Sequence, residues 1–221
     1  MTTPEAVVDT AEFRRVLGRY VTGVVVVASQ WDGQQHGITV NSFTSVSLDP
    51  PLIAFCAAHS SNTWPSVRAA GRFAVSILAD TQQEVCGLFA TKGVDRFAAV
   101  PWTRSPSGHP ILEEAVGWLD CRVDAIHPAG DHDLVVGEVT ALGADDGMPL
   151  VFFQGAFAEL APPADVPTAA ERTAVGAAML PGIDVESPFF DVLSAHLRSV
   201  EGQDNAEEID SRSIAPVKSH E

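Results

Sequence analysis

A dense group of polar side chains runs through residues 39–47, where hydroxyl and amide groups follow a predicted strand. Neutral donors of this kind, together with backbone N–H groups, can hold a phosphate or the polar edge of a heterocycle without a cluster of cations. The composition alone is equally compatible with an ordinary Ser/Thr-rich loop. The segment is therefore a candidate ligand site, and its meaning depends on the elements that position it.

The net charge of −16, from 29 acidic and 13 basic residues, argues against nucleic acid as a partner, because phosphate backbones are bound by clustered Lys and Arg. No glycine-rich Rossmann or P-loop fingerprint occurs, so a dinucleotide would have to be held by another kind of site. The seven histidines show no metal-ligand spacing, and the three widely spaced cysteines predict buried thiols. We expect a soluble cytoplasmic protein, because neither a signal-peptide pattern nor an apolar run of spanning length is found.

Short strands dominate the elements that would position the polar segment. Runs of β-branched residues and apolar/polar alternation predict strands, whereas apolar residues at helical spacing predict helices, with Thr10 and Thr81 as candidate N-caps. The predicted strands cover residues 24–27, 36–42, 52–57, 73–78, 118–126, 134–142 and 150–157, and the predicted helices cover residues 12–21, 62–70 and 81–91. Close spacing of so many strands indicates a barrel or a sandwich.

Two local patterns refine this prediction. The Asp32-Gly33 pair, flanked by strand-forming residues, predicts a tight hairpin turn. Along residues 118–126, apolar side chains alternate with Asp120, Arg122 and Asp124, which predicts one solvent-facing side of that strand.

Five short motifs occur in order along roughly residues 13–160. They are Thr22-Gly23-Val24-Val25-Val26-Val27, Asn41-Ser42-Phe43-Thr44-Ser45-Val46-Ser47-Leu48-Asp49-Pro50-Pro51, Ser61-Asn62-Thr63, Gly71-Arg72-Phe73-Ala74-Val75 and Gly130-Asp131-His132-Asp133. Together they resemble the flavin reductase family, the short-chain reductase components of two-component flavin-dependent monooxygenases. The resemblance implies a mainly β fold, the FMN-binding split β-barrel of Greek-key type with short peripheral helices.

The resemblance also implies roles for individual residues. His132 would serve the nicotinamide, since the family's Gly-Asp-His turn presents its imidazole to the flavin face; without the resemblance, a lone histidine is more often a surface or packed residue. Phe153 and Gly155, on the predicted last strand, would line the other side of the nicotinamide. The implied flavin contacts are Thr39, Val40, Asn41, Ser42, Ser45, Val46 and Ser47 around the isoalloxazine and ribityl chain, Ser61, Asn62 and Thr63 at the phosphate, and Phe89, Ala90, Arg96 and Phe97 closing the site.

The implied activity is NAD(P)H-dependent flavin reduction, with hydride passing from NADH or NADPH to FMN or FAD and the reduced flavin leaving for a partner oxygenase. A homodimer is implied because the family's flavin site usually lies between two subunits, and no metal is implied. Two alternatives stay open: a non-catalytic or electron-shuttling FMN-binding protein on the same barrel, and a protein-interaction module that acts through the acidic tail.

A change of composition near Pro162 predicts the domain boundary. Residues 1–161 would form the flavin reductase-like barrel, and residues 162–221 an acidic C-terminal extension, partly helical or disordered.

Overall fold

The computed structural model describes residues 8–160, which form a mainly antiparallel β fold with three short α-helices. Seven strands make the main sheet in the order β3-β2-β6-β9-β10-β5-β4. The helices are α1 (Thr10–Leu17), α2 (Trp64–Ala70) and α3 (Gln83–Ala90). The strands are β1 (Thr22–Gly23), β2 (Val25–Trp31), β3 (Gln34–Val40), β4 (Thr44–Leu48), β5 (Pro51–Ala58), β6 (Arg72–Ile77), β7 (Trp102–Arg104), β8 (Pro110–Leu112), β9 (Gly117–Ala129), β10 (His132–Ala144), β11 (Val151–Phe153) and β12 (Ala156–Ala158).

The valine run before and within β2 is buried on both sides of the sheet. Val25 and Val27 belong to an apolar core that includes Phe55 and Phe73, whereas Val24 and Val26 belong to a second core with α3 and β8. Alternate side chains of a strand face opposite sides, so a continuous β-branched run suits a strand that is covered twice. The sheet therefore has an inner core and an outer layer, and α3 lies in the outer layer.

The predicted hairpin between the first two long strands is confirmed. Trp31 pairs with Gln34, and the two turn residues Asp32 and Gly33 have φ values of 49° and 74°. Positive φ at both central positions is the geometry for which Asp-Gly is favoured, because its twist matches that of the flanking strands.

The end of β3 curves back to β5, although these two strands are not paired in the described sheet. Just beyond β3, Ser42 Oγ accepts a hydrogen bond from the Cys56 N–H at 2.9 Å and donates to the Cys56 carbonyl at 3.3 Å. One side chain thus joins strand ends that no backbone ladder connects. The predicted mainly β split-barrel fold is confirmed, and we call the opening between the ends of β3 and β5, which are joined by Ser42, the split.

Helix boundaries differ from the prediction because other residues satisfy the helix ends. Helix α1 ends at Leu17, four residues before the predicted end, and its N-cap is Asp9, whose carboxylate accepts from the Glu12 N–H at 2.9 Å. Thr81 does not cap α3, since it lies inside a 3₁₀ turn that precedes the helix. The start of each helix is therefore determined by local backbone and capping hydrogen bonds and not by the spacing of apolar residues.

Two strand predictions are wrong in detail, and two further features were not predicted. Residues 150–157 form two strands, β11 and β12, because Gln154 and Gly155 turn the chain with φ values of 51° and 82°. Asp120 is not solvent-facing but 1% exposed, and its carboxylate accepts from the Ser107 N–H at 2.7 Å and the Ser107 hydroxyl at 2.5 Å. The polar segment is also more regular than a loop, since it contains β4. The hairpin of β7 and β8 was not predicted.

Within residues 8–160, no helix is both long and apolar enough to cross a bilayer. All three cysteines are free thiols; Cys86 and Cys121 are buried, and Cys56 is partly buried. Burial raises the pKa of Cys121 to about 12, with a further contribution from Asp120, so this thiol stays protonated.

Candidate functional site

A cavity of about 650 Å³ opens at the split between β3 and β5, a volume within the range of roughly 300–1,000 Å³ typical of cofactor sites. Residues from β3, β5, the loop before α2, the end of α3, the segment after α3 and the start of β10 line it. The lining side chains and backbone include Ile38, Thr39, Val40, Asn41, Ser42, Cys56, Ala57, Ala58, Ser60, Ser61, Asn62, Thr63, Phe89, Ala90, Lys92, Gly93, Val94, Arg96 and His132.

The charge of this lining is opposite in sign to that of the chain. Although the sequence carries 29 acidic residues, the described lining contains no Asp or Glu and includes the cations Lys92 and Arg96. The remaining polar groups are hydroxyls, one thiol, two amides and one imidazole. The site is therefore suited to an anionic ligand with a large uncharged polar part.

Residues 60–63, which we call the cavity loop, connect β5 to α2. Ser61 Oγ accepts hydrogen bonds from the backbone N–H groups of Thr63 at 3.3 Å and Trp64 at 3.2 Å. These bonds hold the loop in a tight turn and leave the Ser61 hydroxyl proton to donate.

The Arg96 guanidinium forms hydrogen bonds to three different segments of the cavity wall. Its Nη1 donates to the Gly37 carbonyl at 2.9 Å and to Thr63 Oγ1 at 3.1 Å, while Nε and Nη2 donate to the Thr91 carbonyl at 3.1 and 2.5 Å. Burial lowers the pKa of Arg96, yet a guanidinium remains charged at neutral pH. The fork thus links β3, the cavity loop and the segment after α3, with one N–H left for a ligand.

Two aromatic rings pack behind the cavity wall. Phe89 and Phe97 meet edge to face with centroids 5.0 Å apart. A Cβ on Gly37 would lie 2.5 Å from Phe89 Cε1, so only glycine allows this close approach of β3 to the ring. Phe89 lines the cavity, whereas Phe97 is 8% exposed and packs in the outer core.

His132 begins β10 and lines the cavity. Its Nδ1 donates to the Asp131 carboxylate at 2.7 Å, and this bond, followed by the charge interaction, holds the pKa of Asp131 below its usual value. Because a carboxylate only accepts, the bond fixes the ring with its proton on Nδ1 when neutral and leaves Nε2 for a ligand.

Asp133, which was not among the predicted site residues, is a buried carboxylate next to the cavity-lining His132. It is 5% exposed, and its two oxygens accept from Trp64 Nε1 at 2.8 Å and contact His59 Nε2 at 3.0 Å. Its position in the Gly130-Asp133 motif was visible in the sequence, but its partners lie about seventy residues away, where no local pattern could identify them.

The structure brings eleven of the predicted site residues to this cavity, and it places six elsewhere. Ser45, Val46 and Ser47 are on β4, Phe97 is in the outer core, and Phe153 is on β11. Gly155 lines a second depression of about 520 Å³, which shares Asn41 and Ser42 with the first. The residues at the cavity are Thr39, Val40, Asn41, Ser42, Ser61, Asn62, Thr63, Phe89, Ala90, Arg96 and His132.

Besides that of Ser61, the hydroxyls of three of these residues already make hydrogen bonds within the protein. Thr39 Oγ1 donates to the Cys86 carbonyl at 2.9 Å, Ser42 Oγ binds Cys56, and Thr63 Oγ1 accepts from Arg96. Among residues 8–160, no group of three or more His, Cys, Asp or Glu side chains is arranged to hold a metal.

Comparison with known proteins identifies the family. The model of the flavin reductase like domain matches residues 17–161. A flavin reductase of Pseudomonas putida is 43% identical over 152 residues, covering 68% of this chain and 89% of that protein. The reductase subunit HsaB of a flavin-dependent monooxygenase from Rhodococcus jostii is 37% identical over 161 residues, covering 72% of this chain and 83% of its own.

Solved structures agree with this assignment. The NADH:FAD oxidoreductase of Streptomyces globisporus, crystallised with NAD and FAD fragments, superposes with a TM-score of 0.68 at 36% identity, over 71% of this chain and 96% of that one. Component B of a nitrilotriacetate monooxygenase from Mycobacterium thermoresistibile gives the same TM-score at 37% identity, over 71% and 89% of the two chains. The chain belongs to the flavin reductase family.

Proposed function

We propose that this chain is an NAD(P)H:flavin oxidoreductase that binds the flavin in the cavity at the split of the barrel. The observation that carries the proposal is the lining of that cavity, in which Lys92 and Arg96 occur without any described carboxylate in a chain of net charge −16. A flavin nucleotide combines a phosphate with a polar heterocycle, which is the combination that this lining suits.

The residues present fit a flavin nucleotide. Ser61, Asn62 and Thr63 on the cavity loop, with the remaining N–H of Arg96, would hold the phosphate. Thr39, Val40, Asn41 and Ser42 would follow the isoalloxazine and ribityl chain. Because the hydroxyls of Thr39 and Ser42 are occupied by Cys86 and Cys56, the contacts offered there come from the backbone and from Asn41.

Ser45, Val46 and Ser47 are proposed as additional contacts to the edge of the ring. They lie on the exposed edge strand β4, which follows directly from Asn41 and Ser42. Phe153 and Gly155 are proposed as contacts to the nicotinamide. Gly155 lines the second depression, which shares Ser42 with the flavin cavity.

When both are bound, the nicotinamide supplies hydride to the flavin ring, and this chemistry belongs to the two cofactors. The chain has to orient the two rings and exclude water between them. His132 would serve this role, which is supported by the Asp131 hydrogen bond that orients its imidazole and leaves Nε2 for a ligand. Ala90 and Phe89, which also line the cavity, would supply apolar contacts.

We further propose that the reduced flavin passes to an oxygenase partner and that the enzyme acts in the cytoplasm, where nicotinamide dinucleotides are abundant. The name of the Rhodococcus jostii relative, a monooxygenase reductase subunit, supports the partner. The family match covers residues 17–161, and its end supports the proposed boundary between a barrel domain over residues 1–161 and an extension over 162–221.

A homodimer is proposed because the apolar face of α1 is about half exposed in the described part of the chain. Phe13, Val16 and Leu17 are 54%, 49% and 52% exposed, and Tyr20 beyond the helix is 75% exposed. Contiguous exposed apolar surface of this kind commonly marks an interface.

Steady-state oxidation of NADH and NADPH, measured with FMN, FAD and riboflavin as acceptors, tests the activity. A cavity-filling variant, Ala90→Trp, should lose flavin-dependent turnover, whereas Ala98→Trp, on an exposed residue that does not line the cavity, should retain it. Turnover that is equal in the two variants would place the flavin somewhere else.

A further inference from the structure

Asp133 is a buried carboxylate whose partners all belong to one stretch of chain. Its Oδ1 contacts His59 Nε2 at 3.0 Å, and its Oδ2 accepts from Trp64 Nε1 at 2.8 Å and lies 3.5 Å from Arg68 Nη1. The Trp64 hydrogen bond, followed by that of His59, holds the pKa of Asp133 below its usual value, so the group is ionised at neutral pH.

The two direct partners flank the cavity loop. His59 immediately precedes residues 60–63 and Trp64 immediately follows them, so one carboxylate binds both ends of the loop. Trp64 is 3% exposed and packs edge to face on Phe55, with ring centroids 6.1 Å apart. The far end of the loop is therefore fixed to the core through a side chain that Asp133 also binds.

The near end is fixed by backbone as well as side-chain contacts. The His59 N–H donates to the Asp131 carbonyl at 3.0 Å, and Asp133 pairs with Ala57 in the ladder between β10 and β5. His132 stands between these two aspartates on β10. The two aspartates that flank His132 therefore also bind the residues at the ends of the cavity loop: Asp131 contacts His59, and Asp133 contacts His59 and Trp64.

Burying a carboxylate is costly, and apolar residues of similar volume often stabilise a fold at least as well. Because the contacts of Asp133 join both ends of the cavity loop, a role in positioning the loop accounts for this carboxylate better than a contribution to stability. Asp120 offers a comparison within the same sheet, since it is 1% exposed and bonded twice to Ser107 but does not line or flank the cavity.

We propose that Asp133 is a positioning residue that holds the cavity loop in the shape required to bind the phosphate of the flavin nucleotide. This inference rests on the proposed function, and it assigns the selectivity for a phosphorylated flavin to a residue that does not contact the ligand. Losing Asp133 should therefore weaken FMN binding much more than riboflavin binding.

The test compares the affinities of FMN and riboflavin, measured by flavin fluorescence, in the full-length protein and its variants below their unfolding temperatures. Asp133→Leu should raise the Kd of FMN by about tenfold or more, while that of riboflavin changes by less than about threefold. Asp133→Asn should recover most of the FMN affinity, because the amide can accept from Trp64 and donate to His59. Asp120→Leu, the matched control, should lower the unfolding temperature without changing the ratio of the two affinities.

If Asp133→Leu does not fold, Trp64→Phe keeps the aromatic packing and removes only the N–H, and it should shift the ratio in the same direction by about threefold or more. An unchanged ratio in a folded Asp133→Leu or Trp64→Phe protein would overturn the inference, as would an equal loss for both flavins. Failure of the proposed function is distinguishable, because the unsubstituted protein would then bind neither flavin.

Discussion

Replacing Arg96 by methionine is the most informative single perturbation of the site, because Arg96 links three parts of the cavity. Methionine keeps most of the aliphatic stem and removes the guanidinium. Four donor contacts are lost, of which those to the Gly37 carbonyl at 2.9 Å and to Thr63 Oγ1 at 3.1 Å connect different elements.

The expected magnitude follows from those two contacts. A hydrogen bond from a charged donor contributes about 1.5–3 kcal/mol when buried, and the partial exposure of Arg96 reduces this to about 1 kcal/mol for each. Loss of the charge that faces a phosphate adds a salt-sensitive contribution. We therefore expect FMN affinity to fall by at least about thirtyfold, since thirtyfold corresponds to about 2 kcal/mol, and riboflavin affinity to fall by no more than about threefold.

Fluorescence titrations of FMN and riboflavin at low and high salt measure both effects. Arg96→Lys should be intermediate, because lysine restores a charge but cannot form the fork. Arg104→Met is the matched control, since Arg104 also donates to a backbone carbonyl, that of Gly108 at 3.1 Å, but lies outside the cavity. If Arg96→Met is destabilised yet binds FMN like the unsubstituted protein, Arg96 is only a structural link and the assigned phosphate site is wrong.

Four further predictions concern other parts of the chain. His132→Ala should leave the flavin Kd within about threefold but lower kcat/KM for NADH by about tenfold or more, which corresponds to about 1.4 kcal/mol. If stopped-flow measurements show flavin reduction at the original rate and with the original dependence on dinucleotide concentration, His132 is only a turn residue. The Ser45→Ala, Ser47→Ala double variant should weaken flavin binding by about tenfold if β4 contacts the ring, and a titration that shows no change removes β4 from the site. Burial lowers the pKa of His109, so its neutral form is favoured in the folded state. The contribution of His109 to the free energy of unfolding should be fully present above pH ~6.5, and it should be lost as the pH drops through the folded pKa. Urea unfolding of His109→Gln should therefore show a shallower pH dependence. A protein ending at Leu160 should remain a dimer that reduces flavin, and aggregation or dissociation in sedimentation would show that the extension is structural.

Predictions from the sequence succeeded where local chemistry determines the structure. The turn at Asp32-Gly33 follows from the positive φ that its hairpin needs. The helix predicted over residues 62–70 is found, but it begins at Trp64, where the preceding Ser61 side chain accepts from the N–H groups of Thr63 and Trp64. Thr39–Ser42 reached the cavity because the end of β3 lies at the split.

The predictions failed where contacts between residues far apart in the sequence determine burial or position. Asp120 alternates with apolar residues as a solvent-facing residue would, yet Ser107, from a loop thirteen residues earlier, makes its burial favourable. The contacts of Arg96 with Gly37 and of Asp133 with Trp64 join residues 59 and 69 positions apart, which no periodicity or motif spacing reports. The turn at Gln154 was missed because a non-glycine residue adopts positive φ there.

The most direct test of the central claim is a single turnover without oxygen, in which the protein preloaded with FMN or FAD is mixed with NADH or NADPH and the absorbances of the dinucleotide and of oxidised flavin are followed together. We predict that both absorbances fall with the same rate constant and in equal amounts, and that the rate decreases strongly in Ala90→Trp but not in Ala98→Trp. Oxidised flavin that remains bound and unreduced in the presence of either dinucleotide would contradict the assignment of this cavity as the site of flavin reduction.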